Sequence, residues 1–350
     1  MIMSILAAAV LLVIVLAIAL PYLLAFGVRH MPPSRLITGE FSAQQKAVRL
    51  QVVTTFLEGM AQGLRMQFPL RPLPSTDLDF LQPFQVEGAC TGLCLACLMR
   101  PWRAPRRLTK FLESNQRYRF LLVLGSGFAR GIEQSWRGLL RDQPRVPTDR
   151  LDALFADGYG FQQMIFHYER NPSVLEQGRM LEQKWRAGFY EGAGRALWFL
   201  VPDVKSFTSA ISALPAEVRA ECEIGYGIAA GFAGIRQVLE TQREWAEGLT
   251  QLQNFHLGLV TGLFARYDVN PEYTMAVLQH QDLHALSTLV ERVHHLFEDL
   301  WARGIDYYAW RDEIKLMLKA SWNDVFGHEK PSYRNVEQTY AKDHGILADR

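Results

Sequence analysis

Cys90, Cys94 and Cys97 carry the C-x3-C-x2-C spacing with which three thiolates hold three irons of an iron–sulfur cluster. They lie inside an apolar run, however, where positions i, i+4 and i+7 form one helical stripe, so buried structural thiols are the expectation, with Cys222 as a fourth. A second constellation is His280 and His284, four residues apart, followed by Glu291, His294, His295 and Glu298. Such spacing can ligate zinc or supply half of a carboxylate-bridged di-iron site. The second Glu-x-x-His that a di-iron bundle requires is missing, so this cluster reads as a solvated or interhelical histidine face. The run Val123 to Gly131 contains G-x-G-x-x-x-G after a hydrophobic stretch, like a dinucleotide turn. No strand–helix–strand alternation surrounds it, and no acid closes a second strand about 20 residues on. No metal or cofactor is therefore expected, and no complete catalytic constellation marks the chain as an enzyme.

Four acids, Glu58, Glu87, Asp157 and Glu191, each stand immediately before a glycine. At a helix N-terminus an acid stabilises the free amides and the dipole, which is the reading expected here; the alternative is a shared concave surface that binds a ligand. A basic segment holds Arg100, Arg103, Arg106, Arg107, Lys110, Arg117 and Arg119 against the single acid Glu113. It reads as a solvated loop or, beside a bilayer, as a contact for anionic headgroups.

These residues sit in a chain of 350 with 37 basic and 36 acidic side chains, a net charge of +1 and 49% apolar residues. That composition belongs to a folded chain, and its charge balance argues against nucleic acid as a partner. Residues 1–28 contain no charged side chain. From Ile5 to Phe26 the 22 apolar residues match the roughly 30 Å of bilayer hydrocarbon. No Lys or Arg precedes them, which favours an anchor over a cleaved signal peptide. Arg29, Arg35, Lys46 and Arg49 follow, so the body is expected on the cytoplasmic side of an inner membrane. The expected organisation is a transmembrane anchor over 1–28, a juxtamembrane linker over 29–41, a helical repeat-like domain over 42–327 and a polar tail over 328–350.

The elements within that domain are marked by a recurring glycine segment. The first glycines of successive segments are Gly59, Gly88, Gly127, Gly158, Gly192, Gly227 and Gly258, at intervals of 29, 39, 31, 34, 35 and 31 residues. Glycine at i and i+4 bares one helical face to a neighbouring backbone, and since each costs about 1 kcal/mol relative to Ala, its recurrence calls for close packing. Further helix starts stand at Asp203, Pro215 and Asn270-Pro271. Only Arg119 to Leu124 offers itself as a strand. The fold class expected is all-α: helix pairs in a solenoid-type array, packed through glycine-rich helices.

The segments Asp157-Gly158-Tyr159-Gly160-Phe161 with Phe166-His167, Gly192 to Phe199, Arg219-Ala220 and Gly225 to Gly234 are similar to the bacterial family of unknown function associated with enediyne biosynthesis. The likeness runs from about Phe41 to Arg303, and Gly194-Arg195-Ala196-Leu197-Trp198-Phe199 is its most specific part. The resemblance implies a helical protein whose relatives lie beside enediyne polyketide genes and beside uncharacterised membrane and repeat-containing partners. It brings no established catalytic residues, and the Cys90 to Cys97 stretch lies outside the family pattern. The function expected is a membrane-anchored scaffold or accessory subunit that docks a protein partner. The alternative is an enzyme or carrier that handles a hydrophobic polyketide-type molecule in an interhelical channel.

Overall fold

The computed structural model describes residues 19–37, 39–65, 77–99, 118–137, 151–169, 171–237 and 252–326. Every regular element among them is helical. Residues 19–29 are helical, here α1, and are followed by a 3-10 turn at Pro33–Arg35. Then come α2 (Ala43–Leu64), α3 (Leu78–Leu98), α4 (Arg119–Arg137), α5 (Asp152–His167), α6 (Gln183–Leu200), α7 (Val204–Ile211) and α8 (Ala216–Ala233). The chain continues through α9 (Leu252–Val269), α10 (Pro271–His280), α11 (His284–Arg303) and α12 (Tyr307–Phe326). The local chemistry explains several boundaries. Ser42 and Gln45 form a reciprocal capping box at α2, and the side chains of Asp203 and Asn270 cap α7 and α10. Gly304 ends α11 at φ 78°, a left-handed position that glycine adopts without a Cβ penalty. The strand expected at Arg119 to Leu124 is the beginning of α4, since a continuous apolar run fits a buried helix as well as a strand.

The membrane expectation is overturned. Among the described residues no helix is long and apolar enough to cross a membrane. Neither the transmembrane anchor nor the single-pass inner-membrane localisation is therefore supported. Residues 1–18 of the expected anchor, the tail over 328–350 and the basic run Arg100, Arg103, Arg106, Arg107 and Lys110 lie outside the described residues.

Helices α2, α3, α4, α5, α6, α8 and α9 form a row in which each packs on the next. Glycines make the contacts reciprocal. A Cβ on Gly192 would collide with the Asp157 carbonyl across the α5–α6 contact, and one on Gly225 with the Glu191 carbonyl across α6–α8. Gly227 and Gly258 face one another's helices in the same manner across α8–α9. The unit is thus a single helix with glycine faces toward its neighbours, not the expected helix pair. Nor does the row run on as an open solenoid. It curls until α9 meets α3: Arg266 donates to the Phe232 carbonyl at 2.5 Å and to the Phe80 carbonyl, while Phe84 meets Phe232 with ring centroids 5.0 Å apart. Phe120 of α4 packs against Phe264 of α9, with centroids 5.5 Å apart, and Trp310 of α12 joins that cluster. Curling gives the row an inside, and α12 closes part of it.

Candidate functional site

A helix turns about 100° per residue, so the residue before a packing glycine points away from the interhelical seam. On α3, α5 and α6 that residue is Glu87, Asp157 and Glu191, and all three are buried. They stand in mid-helix and not at N-termini, which corrects the capping role expected of them. Glu58 on α2 differs: it is partly exposed and lies 3.3 Å from Arg29.

Arg195, one turn after Glu191, joins two of these acids. Its Nε donates to Asp157 Oδ1 at 3.0 Å and its Nη1 to Glu87 Oε1 at 2.8 Å, while Nη2 lies 2.8 Å from Asp157 Oδ1. The guanidinium also stacks 4.4 Å from the Phe161 ring centroid. Arg311 of α12 serves the third acid: Nη1 donates to Glu191 Oε2 at 2.7 Å and to Glu221 Oε2 at 2.8 Å. Tyr307 donates its hydroxyl to Glu191 Oε1. Four carboxylates therefore meet two guanidiniums inside the curl.

Burial sets the protonation. It pushes Asp157 up to about 6 despite the opposing pull of Arg195, and Glu191 up to about 8 despite Arg311. Burial lowers the Arg195 and Arg311 guanidiniums, but the neighbouring carboxylates outweigh it and both end above their ordinary value. Tyr307 is held well above the usual phenol range by burial and by Glu191. Asp157 Oδ2 is buried without a hydrogen-bond partner.

Glu87 and Arg195 also line a cavity of about 50 Å³ whose remaining wall is almost wholly apolar, including Phe56, Phe84, Phe128, Phe161, Phe199 and Phe232. A second cavity of about 180 Å³ lies against it, sharing Leu36, Phe56 and Phe128, and is walled on its far side by Leu24, Val28 and Met31 of the N-terminal segment. Together they are a mostly apolar space with a charged corner at Glu87 and Arg195, and with Gln162 and His167 on the wall of the larger cavity.

The other sequence candidates lie elsewhere. Cys90, Cys94, Cys97 and Cys222 are buried free thiols, and Cys94 Sγ approaches the Leu122 carbonyl at 3.8 Å. Burial raises the Cys90 and Cys94 thiols, away from the thiolate that a cluster or a nucleophile needs. His280 ends α10 and His284 opens α11; Asp282, at φ 55°, turns the chain between them, so they do not share one helical face. His294 Nδ1 lies 3.9 Å from Asp268, whereas Glu291 has no place in that pair. Among the described residues no three His, Cys, Asp or Glu side chains converge as a metal site requires. Gly125 and Gly127 lie within α4, so the dinucleotide-like run is helix interior.

A family model described as a protein of unknown function, DUF1702, matches residues 36–317. The chain belongs to the DUF1702 family. The matched span takes in every residue of the charged corner, from Glu87 to Arg311, and both cavities except their α1 and Met31 wall. Nothing in the match links this DUF1702 member to enediyne biosynthesis. No curated protein and no solved structure matches the chain.

Sequence reading missed Arg195 and Arg311 as the counter-ions of this site. Arg195 had a signal: it is the single charge in the run from Gly192 to Leu200, and an Arg so placed has to find a buried partner. Arg311 stands among charged neighbours in α12 and had none.

Proposed function

We propose that this protein binds a small hydrophobic molecule inside the curl, in the two adjoining cavities. The observation that carries the reading is the phenylalanine-lined space itself, with cavities of about 50 and 180 Å³ separated by Leu36, Phe56 and Phe128. An apolar cavity of roughly 150 Å³ stays dry and takes up benzene, so the larger cavity suits a single aromatic ring. Rotation of Phe56 or Phe128 would join the two into room for a bicyclic ring or a medium alkyl chain. Among the described residues that line the space there is no nucleophile–base pair, which fits a carrier or binding subunit better than an enzyme. The resemblance to enediyne-associated proteins makes a polyketide-type molecule one of the ligands to try.

Thermal unfolding in the presence of benzene, naphthalene and octane tests the reading. A ligand that binds only the folded state raises the midpoint with concentration. Val28→Phe, which places a ring in the larger cavity, should abolish the rise while leaving the basal midpoint within a few degrees. Unchanged midpoints with all three compounds would overturn the proposal.

A second reading, an accessory subunit that docks a protein partner, has one observation in its favour: Leu20, Tyr22, Leu23 and Phe26 of α1 are 45 to 65% exposed. Stoichiometric co-purification of a second chain, lost on Leu23→Glu with Phe26→Glu, would support it.

A further inference from the structure

The charged corner of the smaller cavity has a composition that selects among hydrophobic ligands. Arg195 has five N–H bonds, and its contacts to Asp157 and Glu87 leave further N–H groups on Nη1 and Nη2. Glu87 accepts from Arg195 through Oε1, and a carboxylate has a second acceptor oxygen. An otherwise apolar cavity thus counts a donor residue, Arg195, and an acceptor residue, Glu87, among those that line it.

The surrounding charge decides what such a pair can accept. Glu87 on α3 and Arg195 on α6 line the corner and Asp157 on α5 pairs with Arg195; behind them Glu191 on α6 and Glu221 on α8 pair with Arg311 of α12, and Tyr307 donates to Glu191. Four acids and two arginines make up the network, and burial keeps Glu191 largely protonated at neutral pH. Both arginines are already committed to carboxylates, so an incoming anion would find no unpaired guanidinium at the corner and would lie beside the carboxyl group of Glu87. Arg49, another buried cation, gives its N–H groups to the Trp198 and Gln45 carbonyls, stacks on Trp198 4.1 Å from the ring centroid and does not line the cavity. An uncharged oxygen suffers none of this repulsion. A hydroxyl can accept from Arg195 and donate to Glu87, and a carbonyl can accept from Arg195.

We infer that the Glu87–Arg195 corner recognises the uncharged hydroxyl or carbonyl end of an otherwise apolar molecule, and rejects the ionised carboxylate of the same chain length. The inference rests on the binding reading above and adds to it the class of the polar end. It separates a carrier of alcohols, ketones or phenols from a carrier of fatty acids.

Four probes of equal chain length decide it at pH 7.5: octane, 1-octanol, 2-octanone and octanoate, each titrated into the full chain and followed by thermal midpoint and by calorimetry. 1-Octanol and 2-octanone should bind at least about tenfold more tightly than octanoate, and more tightly than octane, because a buried polar pair left unfilled discriminates against a ligand that lacks the matching group. Glu87→Gln keeps the shape and removes one negative charge. It should raise the octanoate affinity at least about threefold while leaving 2-octanone within about twofold. Octanoate binding as tightly as 1-octanol would overturn the inference, and so would octane matching 1-octanol, although in both cases the cavity would still be shown to bind. Failure of all four to bind would bring down the binding reading, and the inference with it. Should Glu87→Gln fold poorly, the ranking of the four probes on the unmodified chain decides alone.

Discussion

Arg195 and Arg266 are both buried inside the curl, and each answers the cost of burying a charge in its own way. Among the described residues Arg266 has only neutral hydrogen-bond partners. It donates to the carbonyls of Phe232 and Phe80 and stacks against Phe80, Phe84 and Tyr273, at 4.8, 5.6 and 5.5 Å from their centroids. Burial without a close carboxylate lowers it to about 10. Arg195 is instead bound to Asp157 and Glu87, and its guanidinium is driven up. The carbonyl-bound arginine ties helices together and has no titratable hydrogen-bond partner near neutrality. The carboxylate-bound arginine belongs to a network that gains and loses protons, and it lies against the cavity. Partner chemistry, and not burial, separates a clasp from a site.

The strongest way to break this comparison is to remove each arginine in turn. Arg195→Met leaves Asp157 and Glu87 buried without their cation and should cost about 3–5 kcal/mol in denaturant unfolding at pH 8. Part of that loss should return at pH 5, where Asp157 takes up a proton. Replacement of Gly227 by Leu should cost about 3 kcal/mol, because α8 and α9 must move apart to admit the side chain, and the loss should not vary with pH. Arg266→Met strands two carbonyls and should cost about 1–3 kcal/mol, equally at pH 5 and pH 8. An equal pH dependence for the two arginine variants would erase the distinction. Cys94→Ala, in the same tightly packed region but bound to nothing that titrates, should cost only about 1 kcal/mol.

The smallest expected effect is also the most specific. The folded Glu191 carboxyl sits above its unfolded value, at about 8 against 4.5, so the unfolded state loses its proton first. Stability contributed by protonated Glu191 is full below the unfolded value and declines as pH rises toward 8. Asp157, raised to about 6, adds a similar decline over a lower range. Glu191→Gln should flatten the fall in thermal midpoint between pH 6 and pH 8 by a degree or two, with little change at pH 5. A slope identical to that of the unmodified chain would show that the proton sits elsewhere in the network.

The seams of the fold were legible in the sequence, and the site was legible only in part. Recurring glycines announce close helix packing because their cost in a helix interior has no other local recompense, and seven of those segments became the seven helices of the row. The stripe of Cys90, Cys94 and Cys97 was readable for the same reason: spacing fixes the face. Asp157 and Glu191 were visible as acids beside glycines, but local spacing cannot say whether such an acid caps a terminus or points into a core. That depends on where the helix starts, and α5 and α6 begin five and eight residues before these acids. Arg311 reaches Glu191 across 120 residues, a pairing that no local periodicity encodes. His280 and His284 misled because a fixed spacing implies a shared face only within one uninterrupted helix.

The reciprocal glycine seams also say how the molecule must assemble. Each joins sequence neighbours, so the row can zip up helix by helix with low contact order as the chain emerges, at little loop-closure cost. Arg266 to Phe80 spans 186 residues, and this contact cannot form until α9 is in place. A chain still lacking Leu252 onward can already pair Glu87 with Arg195 and Phe84 with Phe232, but the faces of α4 and α8 that α9 covers would meet water. Covering them is a late, long-range event, and the interval before it is when this protein is most exposed to aggregation.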